Sequence, residues 1–377
     1  MQNQYDSYSS ISNKMDALIN FAERLIHKYK SEWSSTVYDA LCNQLENIKK
    51  KREYGKLNIS IIGDFSSGKS TFINALLRCN LLKEGILQGT TTALTILEYY
   101  PKYALIVEDM YKRVKKYRYK TLKELSTDLH KFTTTEGAKY LNFVRVGLPA
   151  SILNSNIRII DTPGTDSLET WHEDVTRRAI KKYSDISIIA VDTTKSLSET
   201  FCTFIAENLS DVLSKCVFVA TKYDKAKEDE RATVLKFIDL KLQSNFNLSN
   251  SLILPYSSLS ILKAFVINGN KKLRSSELVQ TSIASERRLL LHTDKIRSLV
   301  RTRKTIKYVN SIYNDILYYL KQLYDDKSNR PNNIRNMTYW KSEAYVSRQE
   351  DIRVDIKSLI NLQNSLKFMS QLKNLNL

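Results

Sequence analysis

Glycine and proline are scarce in this sequence, whose 377 residues include nine glycines and five prolines. This composition favours long helices and excludes collagen-like and low-complexity chains. Cysteine and histidine are equally rare, with four residues of each, and the cysteines at 42, 79, 202 and 216 show no CxxC spacing. We therefore expect a reducing compartment and neither a disulfide framework nor a zinc centre.

Long apolar runs are absent as well. The run 186–191 is among the longest, is interrupted by Ser187, and falls far short of the ~18 residues of a membrane-spanning helix. The first ten residues are polar, which argues against a secretory signal peptide. These features predict a cytoplasmic protein, either free or bound peripherally to a membrane.

Basic residues exceed acidic residues, 58 to 40, and the formal charge is +18. Residues 266–377 contribute +11 of this charge, residues 56–265 contribute +6 and residues 1–55 contribute +1. A basic C-terminal region favours an anionic partner, either an anionic membrane surface or nucleic acid. The alternative is a helix face whose charges meet only water.

Apolar periodicity divides the chain into three segments. Helical spacing that begins at Met15 predicts an N-terminal helical segment over residues 1–55. Residues 56–265 instead contain short runs rich in Ile and Val, as in the buried parallel strands of an α/β sheet. These runs are 57–62, 157–160, 186–191, 217–220 and 252–254. Helical spacing returns over residues 266–377, with a break at 328–336.

The segment 63–70 has the pattern G-x-x-x-x-G-K-[ST] and lies between an apolar strand and a helical stretch. In such a loop, backbone N–H groups surround a phosphate and the helix directs its positive end at the same charge. Lys69 is predicted to bridge the β- and γ-phosphates, and Ser70 to ligate Mg²⁺. The predicted nucleotide contacts here are Gly63, Asp64, Phe65, Ser66, Ser67, Gly68, Lys69, Ser70 and Thr71.

A second motif, D-T-P-G at 161–164, follows the strand 157–160. Asp161 at the carboxyl end of a strand can hold Mg²⁺ through water, and the Gly164 amide can sense the γ-phosphate. An ordinary turn is the alternative. A triple threonine begins 21 residues beyond Lys69 and can complete the Mg²⁺ shell when a γ-phosphate is present. Spacing does not settle which of the three threonines serves; we favour Thr91, then Thr92, and a β-rich loop is the alternative.

A third motif, T-K-Y-D at 221–224, follows the strand 217–220. A carboxylate at Asp224 can accept N1–H and the exocyclic amine of guanine, which adenine does not offer, so the motif predicts GTP or GDP. Two serines after the last strand can offer backbone donors to guanine O6, or equally can cap a helix. The predicted base contacts are Thr221, Lys222, Asp224, Ser257 and Ser258.

Taken together, these motifs resemble the dynamin superfamily, specifically the bacterial dynamin-like GTPases. The resemblance extends to the sequences 63–77, 81–85, 148–153 and 161–167, and to Thr221 where Ras-like proteins have Asn. It implies an α/β P-loop GTPase domain, with a mostly parallel sheet flanked by helices and an insertion such as 103–145. The N- and C-terminal segments are expected to form an α-helical bundle, giving domains at 1–55, 56–265 and 266–377.

The resemblance also implies Mg²⁺-dependent GTP hydrolysis, stimulated when the GTPase heads of two copies dimerise and coupled to movement of the bundle at a membrane surface. By position, Ser66 resembles the phosphate-loop serine that helps to position charge-compensating groups. The catalytic residues so implied are Ser66, Lys69, Thr91, Thr92 and Gly164, and the metal ligands are Ser70, Thr91 and Asp161.

Two features depart from the family pattern. Phe65 stands where eukaryotic dynamins place the Gln that orients the attacking water, so slow turnover is expected. The 112 residues after position 265 are few for a long stalk. This predicts a shortened member, a partial chain, or a second dynamin-like chain that completes the bundle.

Basic residues are concentrated in the segments 111–123 and 287–307. The second segment is predicted to be a helix with an apolar side, which could lie against anionic lipid or, less favourably, bind nucleic acid. The alternative is that its apolar side packs on the N-terminal helix while the charges face water. The rival function is therefore a GTP-gated scaffold or an RNA-binding GTPase with very slow turnover.

Overall fold

The computed structural model describes residues 2–83, 94–134, 140–163, 176–177, 179–195, 197–210, 213, 216–249, 251–267, 271–325 and 339–371. The chain divides into two compact units. The sheet unit is Lys56–Asp294, and the helical unit combines Met1–Gly55 with Lys295–Leu377.

The sheet unit contains nine strands within the described residues, in the order β4-β3-β5-β2-β6-β1-β7-β8-β9. Neighbouring strands from β6 to β9 along this order are all parallel, whereas β2 is antiparallel to β6 and β3 is antiparallel to both β4 and β5. The strands are β1 Leu57–Gly63, β2 Thr95–Tyr99, β3 Tyr103–Asp109, β4 Val114–Tyr119, β5 Leu141–Leu148, β6 Ile157–Asp161, β7 Ile186–Asp192, β8 Val217–Thr221 and β9 Leu252–Pro255.

Each of the five apolar runs predicted from sequence forms one of the five consecutive parallel strands from β6 to β9. Every residue of β7 and β8 is buried, because helices cover both faces of a parallel sheet. Phe201, Ile205 and Leu242 pack on one face against Ile189 and Phe218. The predicted fold class, a mostly parallel α/β sheet with an α-helical bundle, is confirmed.

In the described residues, five α-helices lie wholly within the sheet unit: α3 Lys69–Leu77, α4 Leu122–Thr134, α5 Glu199–Leu209, α6 Arg231–Phe246 and α7 Ser258–Leu262. Between β2 and β6 the chain adds β3, β4, α4 and β5, which extend the sheet on one side. This addition leaves β4 as an edge strand, with β9 at the other edge.

The helical unit, as far as its residues are described, contains four α-helices: α1 Gln2–Lys28, α2 Ser35–Tyr54, the later part of α8 Glu277–Asp325, and α9 Tyr339–Gln371. They share one apolar core because each presents a stripe of apolar side chains at helical spacing. Core residues from the four helices include Ala22, Leu41, Ile312 and Leu359, all at most 2% exposed. Tyr313 on α8 also donates a hydrogen bond to the Leu18 carbonyl of α1, at 2.8 Å. No helix in the described residues is long and apolar enough to cross a membrane.

The first part of α8, up to Asp294, belongs to the sheet unit, whereas the sequence prediction placed a domain limit at 265/266. Three side chains hold this part of the helix. Glu286 accepts two hydrogen bonds from the Arg78 guanidinium, at 2.7 and 2.8 Å. Ser285 donates to the Pro255 carbonyl, and Ser282 accepts from the Ser257 amide. A long helix has no local sign of where its packing partner changes.

Candidate functional site

The loop between β1 and α3 has a conformation that requires particular residues at particular positions. Gly68, which caps α3, has φ 85°, and Ser66 is also left-handed at φ 62°. Gly63 cannot carry a side chain, because a Cβ there would lie 2.5 Å from Ser67 Oγ and 2.8 Å from the Ala190 carbonyl oxygen. Positive φ values turn successive N–H groups toward one concave side, which suits an anion at the start of a helix.

The predicted loop residues lie together around this concavity. Asp64, Phe65, Ser66 and Ser67 lie between β1 and Gly68, and Ser70 and Thr71 belong to the first turn of α3. Of these, Ser66 is exposed and Ser67 is buried.

Lys69 is buried at the start of α3 and curls back over the loop. Its ammonium donates to the carbonyl oxygens of Gly63 and Asp64, at 2.8 and 2.7 Å. An ammonium has three N–H donors, so one remains for a ligand. Burial lowers the pKa of Lys69, against the attraction of the Asp161 and Asp64 carboxylates. A phosphate in the concavity would offset this cost of burying the charge.

Asp161 ends β6 beside the same helix. The side chain is 2% exposed and its Oδ1 has no hydrogen-bond partner, and burial raises its pKa although Lys69 opposes the shift. Asp161, Ser70 and Thr95 line one cavity. A buried carboxylate oxygen without a donor is suited to a cation, and a carboxylate with a hydroxyl suits Mg²⁺.

The described residues contain no group of three or more His, Cys, Asp or Glu that could hold a metal ion. This arrangement still fits Mg²⁺, which commonly binds through one or two protein oxygens, waters and the phosphates of a nucleotide.

Thr221 joins the phosphate loop to the strand that leads to the base motif. Its hydroxyl lies 2.6 Å from the Ser67 carbonyl oxygen and 3.1 Å from that of Val191. The side chain is buried, so both contacts are shielded from water. The threonine of the T-K-Y-D motif is therefore a positioning residue that holds the loop in place.

Lys222 adopts a left-handed conformation, with φ 55°, and is held by the end of β7. Its ammonium lies 2.7 Å from Asp192 Oδ2, and the Thr193 hydroxyl donates to the carbonyl oxygens of Thr221 and Lys222. Burial raises the pKa of Asp192, but the hydrogen bonds from Lys222 and Thr194 outweigh it and the pKa lies below its ordinary value. Lys222 is thus held both at its backbone carbonyl and at its ammonium group, which fixes the side chain between them.

Asp224 and the serines after β9 lie together, as the sequence prediction requires of base contacts. The Ser257 hydroxyl donates to Asp224 Oδ1 at 2.7 Å, and the same oxygen of Ser257 caps α7 by accepting from the Ser260 amide. Ser257 can thus cap the helix and lie at the predicted base site in the same geometry. Ser258 is 5% exposed and its hydroxyl has no partner, so it remains free for a ligand.

Sequence reasoning did not identify Asp192, Thr193 or Asn74. Asp192 and Thr193 had a usable signal, because they directly follow a buried strand as Asp161 does. Asn74 is a lone buried polar residue in an apolar helix. Its side chain accepts from the amides of Leu81 and Leu82 and donates to the Leu82 carbonyl, which fixes the chain beside Ser70 and Asp161.

Three predicted site residues, Thr91, Thr92 and Gly164, lie outside the described residues, as does Gly89. Their roles therefore stay predictions.

Comparison with known proteins gives a family for this site. The model of the dynamin family matches residues 59–223, which include the phosphate loop, Asp161 and most of the T-K-Y-D motif. An uncharacterized protein in the xynA 3' region of Caldicellulosiruptor sp. (strain Rt8B.4) is 28% identical over 69% of this chain and 62% of its own length. A probable transmembrane GTPase, FZO-like and chloroplastic, from Arabidopsis thaliana is 29% identical over 54% of this chain and 19% of its own.

A solved structure shares the fold. It is described as an oligomerised bacterial dynamin pair that provides a mechanism for the long-range sensing and tethering of membranes. The similarity covers 99% of this chain and 70% of that one, with a TM-score of 0.52 and 19% identity. The present chain spans less than two thirds of the length of the two curated relatives. Residues 59–223 of this chain therefore match the dynamin family, and the chain shares the fold of a bacterial dynamin pair.

Proposed function

We propose that this chain binds GTP with Mg²⁺ and hydrolyses it to GDP and phosphate. The observation that carries the proposal is the convergence of three preformed elements. These are the buried Lys69 over a left-handed loop, the partnerless Asp161 oxygen beside Ser70, and the Asp224 carboxylate held by Ser257.

The phosphate side requires little movement of the protein. The loop amides and the remaining N–H of Lys69 bind the β- and γ-phosphates, and this arrangement concentrates positive charge where negative charge develops. Mg²⁺ would be held by Ser70 and, through water, by Asp161, and would neutralise charge on the two terminal phosphates.

The base side supplies selectivity. Asp224 accepts both hydrogen bonds from the N1–H and N2 edge of guanine, while Lys222, held by Asp192, covers the ring. Adenine presents no donors at these positions, so it would leave the partly buried Asp224 carboxylate with the Ser257 hydrogen bond but without the two from the base.

The long helix α8 offers a route by which nucleotide binding produces movement. Ser257 contacts both Asp224 and Ser282 at the start of α8, and that helix continues into residues of the helical unit. We infer that GTP-dependent changes at the base site act on α8. Dimerisation of two copies through their GTPase heads would stimulate hydrolysis, and an anionic membrane surface is the site of action. The oligomerised bacterial dynamin pair with the same fold supports self-association or pairing with a second dynamin-like chain.

The decisive experiment measures GTP hydrolysis by the Lys69→Ala variant in the presence of Mg²⁺. Loss of the ammonium should lower the rate by at least about 100-fold, as for other groups that stabilise developing charge. Removal of Mg²⁺ with EDTA should abolish activity in the parent chain. Lys236→Ala, which changes an exposed lysine on α6, is the matched control and should keep full activity. Full activity of Lys69→Ala would contradict the proposal.

A further inference from the structure

The turn between β3 and β4 exposes a group of large apolar side chains. Met110, Tyr111, Val114 and Tyr140 are 54%, 77%, 49% and 67% exposed. They lie close together, because the Met110 amide donates to the Tyr140 carbonyl at 3.0 Å and Val114 begins β4. Large apolar side chains grouped at a protruding turn commonly mark a binding surface. We call these four residues the hairpin tip.

The hairpin tip is held rigidly by one carboxylate. Asp109 Oδ1 accepts from the amides of Tyr111 and Arg113, both at 2.9 Å, and Oδ2 accepts from the Arg113 side chain at 2.6 Å. Lys112 takes the left-handed conformation that closes the turn, with φ 63°. The exposed side chains are therefore presented by an ordered turn, so little conformational entropy is lost when a partner binds.

Positive charge surrounds the hairpin tip. Residues 110–123 contain seven basic and no acidic side chains. Arg113 pairs with Asp109, whereas Lys112, Lys115, Lys116 and Arg118 are exposed and make no ion pair in the described part of the chain. Lysines on an edge strand also discourage pairing between sheets, but that role does not require exposed Met and Tyr side chains beside them.

We propose that the hairpin tip and the basic strand β4 form a docking surface for an anionic lipid bilayer. Met110 and Tyr111 enter the interface at headgroup depth while the lysines contact lipid phosphates. This inference rests on the proposed membrane function and names the surface responsible.

Two other occupants fit the observations less well. A second copy pairing along β4 would bring lysines opposite lysines, which is repulsive. Nucleic acid would meet the same charges, but a protruding apolar turn does not form the groove that follows a phosphate backbone.

The other basic segment, 287–307, also has exposed basic side chains, at Arg287, Arg288, Lys295, Arg303 and Lys307, but Leu291 is its only exposed large apolar side chain in the described residues. Arg297, Arg301 and Lys304 are only partly exposed, and the Arg301 guanidinium donates to the Gly55 carbonyl at 3.2 Å within the helical unit. Ile296 and Ile306 on the same helix are buried.

The test measures partitioning of the full chain onto liposomes of phosphatidylcholine with phosphatidylglycerol, by flotation. A triple variant, Lys115→Gln, Lys116→Gln and Arg118→Gln, should lower the partition coefficient by about 100-fold, because each basic residue near an anionic surface contributes about fivefold. The matched control changes three exposed lysines elsewhere in the sheet unit, Lys236, Lys263 and Lys271, to Gln, and should lower it much less. GTP hydrolysis without lipid should be unchanged in both variants, which verifies folding.

A second variant, Tyr111→Ser, leaves the charge unchanged. It should weaken the apolar part of the binding to liposomes, which is the part that persists at high salt. Equal flotation of the parent, the triple variant and Tyr111→Ser would overturn the docking surface and leave the membrane proposal standing. Failure of the parent chain itself to float would overturn both, while GTP hydrolysis would still stand. Loss of RNA binding without loss of flotation in the triple variant would assign the surface to nucleic acid and overturn the lipid assignment.

Discussion

Thr221 links two motifs through one hydroxyl group. The residue belongs to the guanine motif, yet it donates to the Ser67 carbonyl in a loop 154 residues earlier in the chain. Asp192 acts in a similar way on Lys222, 30 residues later. These polar side chains have partners that are buried or partly buried. Removing one side chain therefore leaves its partner without a hydrogen bond.

Asp224→Asn should change which base the protein prefers. Xanthine has a carbonyl oxygen where guanine has the exocyclic amine, and an asparagine amide can donate to that oxygen while it still accepts N1–H. We expect the preference for GTP over XTP to shift toward XTP by about 100-fold or more. Competition of the two nucleotides for a fluorescent analogue measures this shift.

The matched control for that experiment is Asp229→Asn, which changes an exposed carboxylate in the turn before α6. It should leave the preference unchanged. Unaltered selectivity for GTP in the Asp224→Asn variant would argue against Asp224 as the residue that reads the base.

The helices and strands differ in how strongly their own sequence specifies them. The five parallel strands from β6 to β9 are short and mostly apolar, and α1 carries an apolar stripe at helical spacing, so burial largely selects their structure. The attachment of α9 to α1 depends on polar pairs as well as on the apolar core. Asp355 of α9 accepts hydrogen bonds from Tyr29 and Lys28, both at 2.7 Å.

Tyr29 makes the helical unit sensitive to alkaline pH. Burial and the hydrogen bond to Asp355 raise the pKa of its phenol above the ordinary value of 10.0. The unfolded chain loses this proton near pH ~10 while the folded chain keeps it, so the stabilisation is complete below that pH and is lost as pH rises. The free energy of unfolding should therefore fall between about pH 9 and 11, with a slope from this group of up to ~1.4 kcal/mol per pH unit.

Tyr29→Phe should remove that part of the slope and lower the free energy of unfolding near pH 8 by about 1–3 kcal/mol, because a hydrogen bond to a charged group is lost. Urea unfolding followed by circular dichroism at several pH values measures both effects. Tyr318→Phe, which changes an exposed tyrosine on α8, is the control. An identical slope in the Tyr29→Phe variant and the parent would contradict the role given to Tyr29.

At the scale of the whole molecule, the charge and the exposed apolar surface are unevenly distributed. The C-terminal 112 residues contribute most of the net charge, yet within the described residues the hairpin of the sheet unit combines exposed basic residues with a group of exposed apolar side chains. Net charge by segment therefore does not identify the surface that meets a partner, because packing decides which basic residues remain accessible.

Dimerisation through the GTPase heads predicts that hydrolysis per chain rises with protein concentration. Mass action increases the dimer fraction, so the specific rate should increase across an about 100-fold range of concentration and then level off. Steady-state phosphate release measures it. Excess Lys69→Ala chain, which should not bind nucleotide, should fail to stimulate the parent chain. A constant specific rate across the range would favour the alternative of a slow GTP-gated scaffold.

The sequence by itself determined the central parallel strands, the phosphate loop, the guanine motif and the apolar stripes of the helices. Each of these depends on residues close in the chain, where hydrophobic period, glycine placement and motif spacing act directly. Gly63, Lys69, Asp161 and Asp224 were identified in this way.

Only the tertiary structure decided which distant residues hold those motifs. The pairing of Arg78 with Glu286, 208 residues apart, joins the start of α8 to the sheet unit. The hold of Asp192 on Lys222 and the projection of the hairpin tip likewise depend on strand order and packing. Local patterns carry no information on such contacts, because they arise only when separate elements are buried against one another.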